Sequence, residues 1–440
     1  MTLVDVLSSM NDWDAPCSDS GRPRLAMQQL KQYLRQDQAV VLKGVRRCGK
    51  STLLKQCIAQ LCHAGVDPKA CLYVLLEDPA LSNELNSGFL EQMLQSYRDH
   101  VYPDGKPFLF LDEVQAVPAW EKWVRKILEQ KAAHVFITGS SAKLLSRELG
   151  TVLTGRHFSF EIFPLSFREF LDFKSYALPG KLQWSKQKNR IRNLLNQYLQ
   201  FGGFPEVVLF DDPQKKERLL KQYFEDMMFR DIVKRHEIRD VHTLQRLAQY
   251  YQSNIARLST YNKLKHAMGI PQDVVSTYTS YLSEAYLIAE VSKFSFKLAQ
   301  QTYSARKIYS VDTGLRNAVS FRYSEDWGLL FENAVFGQLR VLASLGNGFE
   351  IYYAQEKQEV DFLIKQGTAI THLIQVFAGS VLLDDLKHRE LQSLIHAMEI
   401  YPKTKAILIT DDQEDIVKTK QGVIRIIPLW KWLLQGGSDF

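Results

Sequence analysis

Gly44-Val-Arg-Arg-Cys-Gly-Lys50-Ser51 fits the pattern G-x-x-x-x-G-K-[ST] without a mismatch. These residue types specify phosphate chemistry. Gly44 and Gly49 let the backbone curl until its N–H groups face phosphate oxygens. Lys50 supplies a mobile positive charge for the β- and γ-phosphates of ATP, and Ser51 offers a hydroxyl to Mg²⁺. Arg46, Arg47, Cys48 and Thr52 complete the loop and the first turn beyond it. Downstream, Asp112-Glu113 closes an apolar run. Asp112 suits the metal side of the site, and Glu113 suits a base that orients and deprotonates the attacking water. Thr138 and Ser140 end a further apolar run, where a hydroxyl senses the γ-phosphate or simply closes a turn. Arg156, in Leu153-Thr-Gly-Arg156, is the candidate for an arginine that compensates charge in the transition state. Arg46 and Arg47 compete for that role, and a purely structural Arg156 is the alternative.

The elements that must hold these groups follow from hydrophobic spacing. Ala39 to Leu42 reads as a buried parallel strand, and Leu53, Leu54, Ile58 and Leu61 repeat at helical spacing after the loop. Strand, glycine loop and helix are the context the motif needs, with the helix dipole adding positive potential at its start. Cys71 to Pro79, Lys106 to Glu113 and His134 to Ser141 read as further strands, with helical patterns between them. That alternation predicts an α/β fold on a parallel sheet. It places Ser51 and Asp112 on adjacent strands, close enough to share one Mg²⁺. Phe158 to Phe173 reads as a strand and a helix start leaving that sheet.

A chain of 440 residues is too long for one core. With 45% hydrophobic and 24% charged residues it has a globular composition. No apolar run approaches a membrane span, and the start carries no basic stretch of a secretory signal, so no membrane partner and a cytoplasmic location are expected. Five cysteines, none in a C-x-x-C pair, read as reduced thiols. Oxidation of Cys48, inside the phosphate loop, would hinder nucleotide binding. The net charge of +6 permits a nucleic-acid partner without demanding one.

Four regions follow along the chain: the ATPase domain over 1–160, a helical lid or linker over 161–238, a helix-rich segment with two paired strands over 239–318, and a last α/β unit over 319–440. In the third, helices around Leu244–Ile255, Thr260–Met268 and Gln272–Ala285 precede strands at Leu287–Val291 and Lys307–Val311, the order of a winged helix-turn-helix. In the fourth, a helix carries Glu332, and strands fall at 350–353, 360–364, 372–376, 406–410 and 423–428.

The chain resembles the prokaryotic AAA-type ATPases whose carboxyl-terminal half is a winged helix followed by a nuclease-like domain. The resemblance rests on Gly44-x-Arg-Arg-x-Gly-Lys-Ser-Thr, Leu111-Asp-Glu-Val-Gln115, Thr138-Gly-Ser-Ser, Gly155-Arg156, Pro164-Leu-Ser-Phe-x-Glu169-Phe and Gly202-Gly-Phe-Pro-Glu206. It continues through Asp231-Ile-Val, Lys307-x-Tyr-x-x-Asp312-x-Gly314, Glu332-Asn333 and Glu359-Val-Asp361-Phe. It implies a restriction-endonuclease-like last domain with a metal site. Glu332 and Asp361 match the first two ligand positions. Gln375 stands at the third as a weaker neutral ligand, and Phe377 stands where a lysine is expected. Lys365, on the neighbouring strand, is the candidate substitute. A degenerate nuclease is therefore expected.

The candidate recognition helix, Pro271 to Glu284, has no lysine or arginine, whereas phosphate anchoring usually needs them. Arg257, Lys263, Lys265, His266, Lys293, Lys297, Arg306 and Lys307 lie on the flanking segments and could grip a DNA backbone. Taken together, the sequence predicts an ATP- and Mg²⁺-dependent ATPase coupling nucleotide state to a DNA- or protein-binding module. A nucleotide-gated switch with slow turnover and an ATP-regulated nuclease are the alternatives.

Overall fold

The computed structural model describes residues 2–14, 21–82, 84–140, 153–180, 184, 186–321, 326–379 and 384–435. The chain divides into two compact units, residues 1–162 and 163–440.

The amino-terminal unit is built on five parallel strands: β1 (Ala39–Gly44), β2 (Cys71–Leu75), β3 (Phe108–Asp112), β4 (His134–Gly139) and β5 (His157–Ile162). Their order across the sheet is β2-β3-β4-β1-β5. Near-continuous Val, Leu, Ile and Phe runs make β1 to β4 buried on both faces, as a helix-covered parallel sheet requires, whereas the edge strand β5 is only partly buried. Two expectations are corrected here. Residues 157–162 do not leave the sheet but pair with β1 along its whole length, Ala39 opposite His157 and Gly44 opposite Ile162. The strands carrying the phosphate loop and Asp112 are not adjacent either, because β4 lies between them.

The outer edge of β2 is sealed by side chains. After the helix Leu3–Met10, the Asn11 amide donates to Tyr73 O and accepts from Tyr73 N–H, both at 2.8 Å, and Trp13 Nε1 donates to Cys71 O at 2.9 Å. Outward-facing backbone groups at alternate residues of an edge strand are thereby paired. Cys48, Cys57 and Cys71 are free and buried, in line with reduced thiols. Cys62 departs from that expectation, being disulfide-bonded.

The second unit holds the remaining regions in one body. Helices Lys188–Phe201, Pro205–Leu209 and Pro213–Asp226 fill the span expected as a nucleotide lid. Their apolar faces are built into this unit's own core: Ile191, Leu195 and Leu199 pack in one cluster with Trp184 and Trp430. Helices Val241–Ser253, Tyr261–Met268 and Gln272–Glu284 are followed by β7 (Ile288–Ser292) and β8 (Arg306–Ser310), which form an antiparallel sheet with the short β6 (Leu258–Ser259) in the order β6-β8-β7. The last region is a six-stranded mixed sheet. It contains β9 (Phe349–Gln355), β10 (Glu359–Gln366), β11 (Ala369–Phe377), β12 (Lys405–Thr410), β13 (Asp415–Lys418) and β14 (Val423–Pro428), ordered β13-β14-β12-β11-β10-β9. The five expected strands are present, and β13 is an addition at the edge.

Several sequence motifs resolve into architecture. Ser166 and Glu169 form a capping box at the start of helix Phe167–Phe173. Asp312 caps the helix Thr313–Val319 through Leu315 N–H at 2.9 Å and also accepts Gly203 N–H at 2.7 Å. A Cβ on Gly202 would lie 1.9 Å from an Asp312 oxygen, so the two segments interlock only with glycine there. Burial pushes the Asp312 carboxyl up to about 6.

Candidate functional site

The phosphate-loop residues stand at the carboxyl edge of the parallel sheet. Gly49 adopts φ 98°, ψ 24° as the cap of helix Lys50–His63, a left-handed conformation suited to glycine. Gly44 is needed for a different reason: a Cβ there would lie 2.0 Å from Ile162 O of β5. Arg47, with φ 66°, takes a left-handed turn without being glycine. Ser51 and Thr52 are exposed at the helix start. Lys50 is buried, donating Nζ to Gly44 O at 3.0 Å and Val45 O at 3.1 Å.

Asp112 and Glu113 face this loop from the end of β3. Glu113 has φ 54°, ψ 53°, a strained conformation for a residue of its size. That turn carries its carboxylate to 3.8 Å from Lys50 Nζ and lets its N–H donate to Thr138 Oγ1 at 2.8 Å. Gln115 Nε2 donates to the other Glu113 oxygen at 2.5 Å. Asp112 is fully buried and accepts a hydroxyl on each oxygen: Thr138 Oγ1 on Oδ1, and Tyr73 OH on Oδ2 at 2.7 Å. Burial, followed by the Asp112 charge, pushes the Tyr73 phenol far up, so it stays a donor, and its hydroxyl also interacts with the Ser51 side chain.

Sequence reasoning missed Tyr73, which reads there only as one aromatic residue in a strand. Thr138 was expected at the phosphate. Its hydroxyl instead bridges Asp112 and the Glu113 backbone, which follows from β4 lying between β1 and β3. Ser140 is buried at the end of the same strand.

Arg46 forms a two-point pair with Glu77, both contacts at 3.1 Å. Arg24 donates to Cys48 O at 2.6 Å, holding the loop from the amino-terminal side. Burial raises the Cys48 thiol, and Sγ donates to Ile162 O at 3.3 Å, so Cys48 is an inert packing group rather than an oxidation switch.

Arg156 is not brought to this site. It precedes β5, its carbonyl accepting from Ala39 N–H at 2.9 Å, and its guanidinium pairs with Glu129. Phosphate loops follow strands. A residue that precedes a parallel strand lies at the opposite edge, roughly 16 Å away over five residues. Arg156 therefore does not reach a triphosphate on its own chain's loop.

A second cluster lies in the carboxyl-terminal unit, in a cleft of about 830 Å³. Glu332, Glu359, Asp361, Gln375 and Glu390 line it, with Trp327 and Phe377 as apolar wall. Lys307 of β8 lies behind this lining, is 1% exposed and pairs with Glu332, Glu359 and Asp361. Burial opposes its charge, and Asp361, Glu332 and Glu359 overcome that, holding the ammonium well above the usual lysine range. Glu332 is pushed up to about 8, by burial first and then by Asp361. Lys365 is not part of the cleft; it pairs with Glu350 at 3.0 Å. Lys307 is also withdrawn from any DNA-gripping surface, and Arg306 is paired with Glu290 at 2.7 Å.

The fold and first site define a class: the amino-terminal unit is an AAA-type P-loop ATPase domain, and residues 36–171 match the family described as "AAA domain". Residues 192–326 match a domain of unknown function, DUF8612. The chain belongs to the family of "Uncharacterized protein MJ1544" of Methanocaldococcus jannaschii, to which it is 34% identical over 90% of this chain and 88% of that one. A Haemophilus influenzae protein is 29% identical over 93% of this chain and 97% of its own length. Among solved structures, the Walker-type ATPase PABY2304 of Pyrococcus abyssi is similar at 14% identity and TM-score 0.45, covering 67% of this chain and 94% of that one. No helix among the described residues is long and apolar enough to cross a membrane.

Proposed function

We propose that this chain is an ATPase that couples its nucleotide state to the posture of a carboxyl-terminal DNA- or protein-binding half. The observation that supports it is the left-handed turn at Glu113, which directs a carboxylate toward Lys50 beside a fully buried Asp112. Backbone strain of this kind persists where surrounding structure enforces it, most often at functional sites. In this reading Gly44, Arg46, Arg47, Cys48, Gly49, Lys50, Ser51 and Thr52 form the phosphate cradle. Ser51 and Asp112 would hold Mg²⁺, whose charge offsets that of the phosphates; Asp112 is fully buried with no ion-pair partner among the described residues, and a cation there would balance its charge. Glu113 orients and deprotonates water. Thr138 and Tyr73 position the two carboxylates, and Arg156 serves a neighbouring chain or the fold.

Tyr73→Phe tests the positioning role. Losing a hydrogen bond to a charged group is worth about 1.5–3 kcal/mol, so kcat should fall roughly tenfold or more. The bond is also present in the resting protein, so the melting temperature should fall by a few degrees, while ATP affinity stays near wild type and the Mg²⁺ dependence of turnover is displaced. A lower melting temperature with kcat and the Mg²⁺ dependence unchanged would mark Tyr73 as merely structural.

The region Val241–Ser310 is read as a winged helix and the six-stranded region as a degenerate nuclease-like module. Arg257, Lys263, Lys265 and Lys297 remain exposed around the former, a backbone-gripping rather than sequence-reading set. The nucleotide-gated switch is the second reading. It is favoured by the engagement of Glu113 with both Lys50 and Gln115. ATP turnover, measured with and without duplex and single-stranded DNA over a range of protein concentrations, separates the two. Several-fold stimulation by DNA supports the coupled ATPase, whereas slow turnover with persistent ATP occupancy supports the switch. A sample that takes up no nucleotide removes both.

A further inference from the structure

The nuclease-like reading of the carboxyl-terminal cleft implies a divalent metal on Glu332, Asp361 and Gln375, and the residues present do not fit one. Lys307 Nζ donates to Glu332 Oε1 at 2.9 Å and Asp361 Oδ1 at 2.7 Å, and is ion-paired with Glu359 Oε1 at 2.6 Å. Two of its three N–H donors thus have a buried carboxylate acceptor, and the third acidic group, Glu359, pairs with it by charge. The second Asp361 oxygen accepts Val376 N–H at 2.9 Å. The Gln375 carbonyl oxygen accepts Asp361 N–H at 3.1 Å, and its amide donates to Glu390 at 2.8 Å, so the neutral ligand is engaged elsewhere. Among the described residues, no group of three or more His, Cys, Asp or Glu side chains is arranged to hold a metal ion.

We propose that Lys307 is the resident cation of this cleft. Its tethered ammonium holds the position that the nuclease-like reading gives to a divalent ion, and removing it turns the cleft into a metal site. Two buried carboxyl groups, Glu332 and Asp361, converge with the partly exposed Glu359 on one point, which calls for a cation there. Lys307 is covalently attached and 1% exposed, so it cannot be diluted away, and a metal must displace it from a place closed to solvent. Cation and ligands also come from different elements. Lys307 belongs to β8 of the three-stranded sheet, while Glu332 lies on helix Trp327–Leu342 and Glu359 and Asp361 lie on β10. One substitution on β8 therefore removes the cation without altering Glu332, Glu359 or Asp361. Paired with Glu332, Glu359 and Asp361, Lys307 acts here as a counter-ion.

The test is Lys307→Met in the full chain without nucleotide, followed by Mn²⁺ titration monitored by electron paramagnetic resonance and by thermal melting. Wild type should show no uptake of Mn²⁺ by these residues and no change in melting temperature. The variant should melt lower in chelator, bind a single Mn²⁺ about tenfold or more tighter than wild type, and recover several degrees on Mn²⁺ addition. Adding Asp361→Asn should abolish both gains, which separates this cleft from any metal held at Ser51 and Asp112. Lys307→Met/Glu332→Gln, with a smaller uncompensated charge, is the second variant should the first not fold, and the same Mn²⁺ response is expected of it. The proposal is overturned if a folded variant ignores Mn²⁺, if wild type binds Mn²⁺ there equally well, if Asp361→Asn leaves the gain intact, or if neither variant folds even in Mn²⁺. None of these outcomes bears on the ATPase reading, since all the residues lie in the second unit.

Discussion

Lys50→Ala is expected to abolish ATP binding, with affinity falling about 100-fold or more. The ammonium is nearly enclosed, and its charge has no substitute at the focus of the loop. Isothermal titration with ATP reads the effect directly. Lys50 Nζ also ties Gly44 O and Val45 O together, so the loop loses two hydrogen bonds in the same variant. Lys50→Arg separates the two consequences: it keeps the charge but not the fit, and a melting curve reports the loop. ATP binding at wild-type strength in Lys50→Ala would remove the phosphate-cradle assignment.

Glu113→Gln is expected to bind ATP and hydrolyse almost none of it. Glutamine has the same shape and tolerates the left-handed turn at the same cost, so the backbone contact to Thr138 survives. It cannot take a proton, and the loss of a positioned base lowers kcat by about 10²–10⁴-fold. Affinity should hold or improve, because a negative charge near the triphosphate is gone and Lys50 is released from its 3.8 Å pairing. Single-turnover hydrolysis alongside equilibrium binding checks both halves. Hydrolysis at the wild-type rate would mean that Glu113 is not the base.

These two residues were legible in the sequence because their signals are local. A glycine loop between a strand and a helix, and an acidic pair closing an apolar run, are read within a dozen residues. The signals that were not legible are those that depend on strand order. That β4 separates β1 from β3 is not encoded near any of them, and it converts Thr138 from a phosphate sensor into a bridge between Asp112 and Glu113. Tyr73 is 39 residues from Asp112 and becomes its partner only because β2 and β3 pair in parallel. The position of Arg156 could have been derived: it precedes its strand, whereas the loop and Glu113 follow theirs. Lys307 is 54 residues from Asp361 and sits among the basic residues of a hairpin, so composition assigned it to a surface. The available clue was its alternation with Tyr309, which puts both on one side of a mostly buried strand and directs both to Glu332. The distant motifs Gly202-Gly203 and Asp312 were visible as motifs, but their meaning, an interlock too tight for any side chain, exists only in three dimensions.

The amide of Asn11 and the indole of Trp13 have a consequence for how copies of this molecule can meet. An open strand is a template: another polypeptide in extended form can lie beside it and prolong the sheet. Here that rim is already occupied by groups from the same chain, and displacing them would strand two backbone carbonyls and an amide without partners. Neither a second copy nor an unstructured peptide can dock along Cys71–Leu75 in that manner. Self-association through this margin must use surfaces of side chains, which single substitutions can tune without disturbing the ladder beneath.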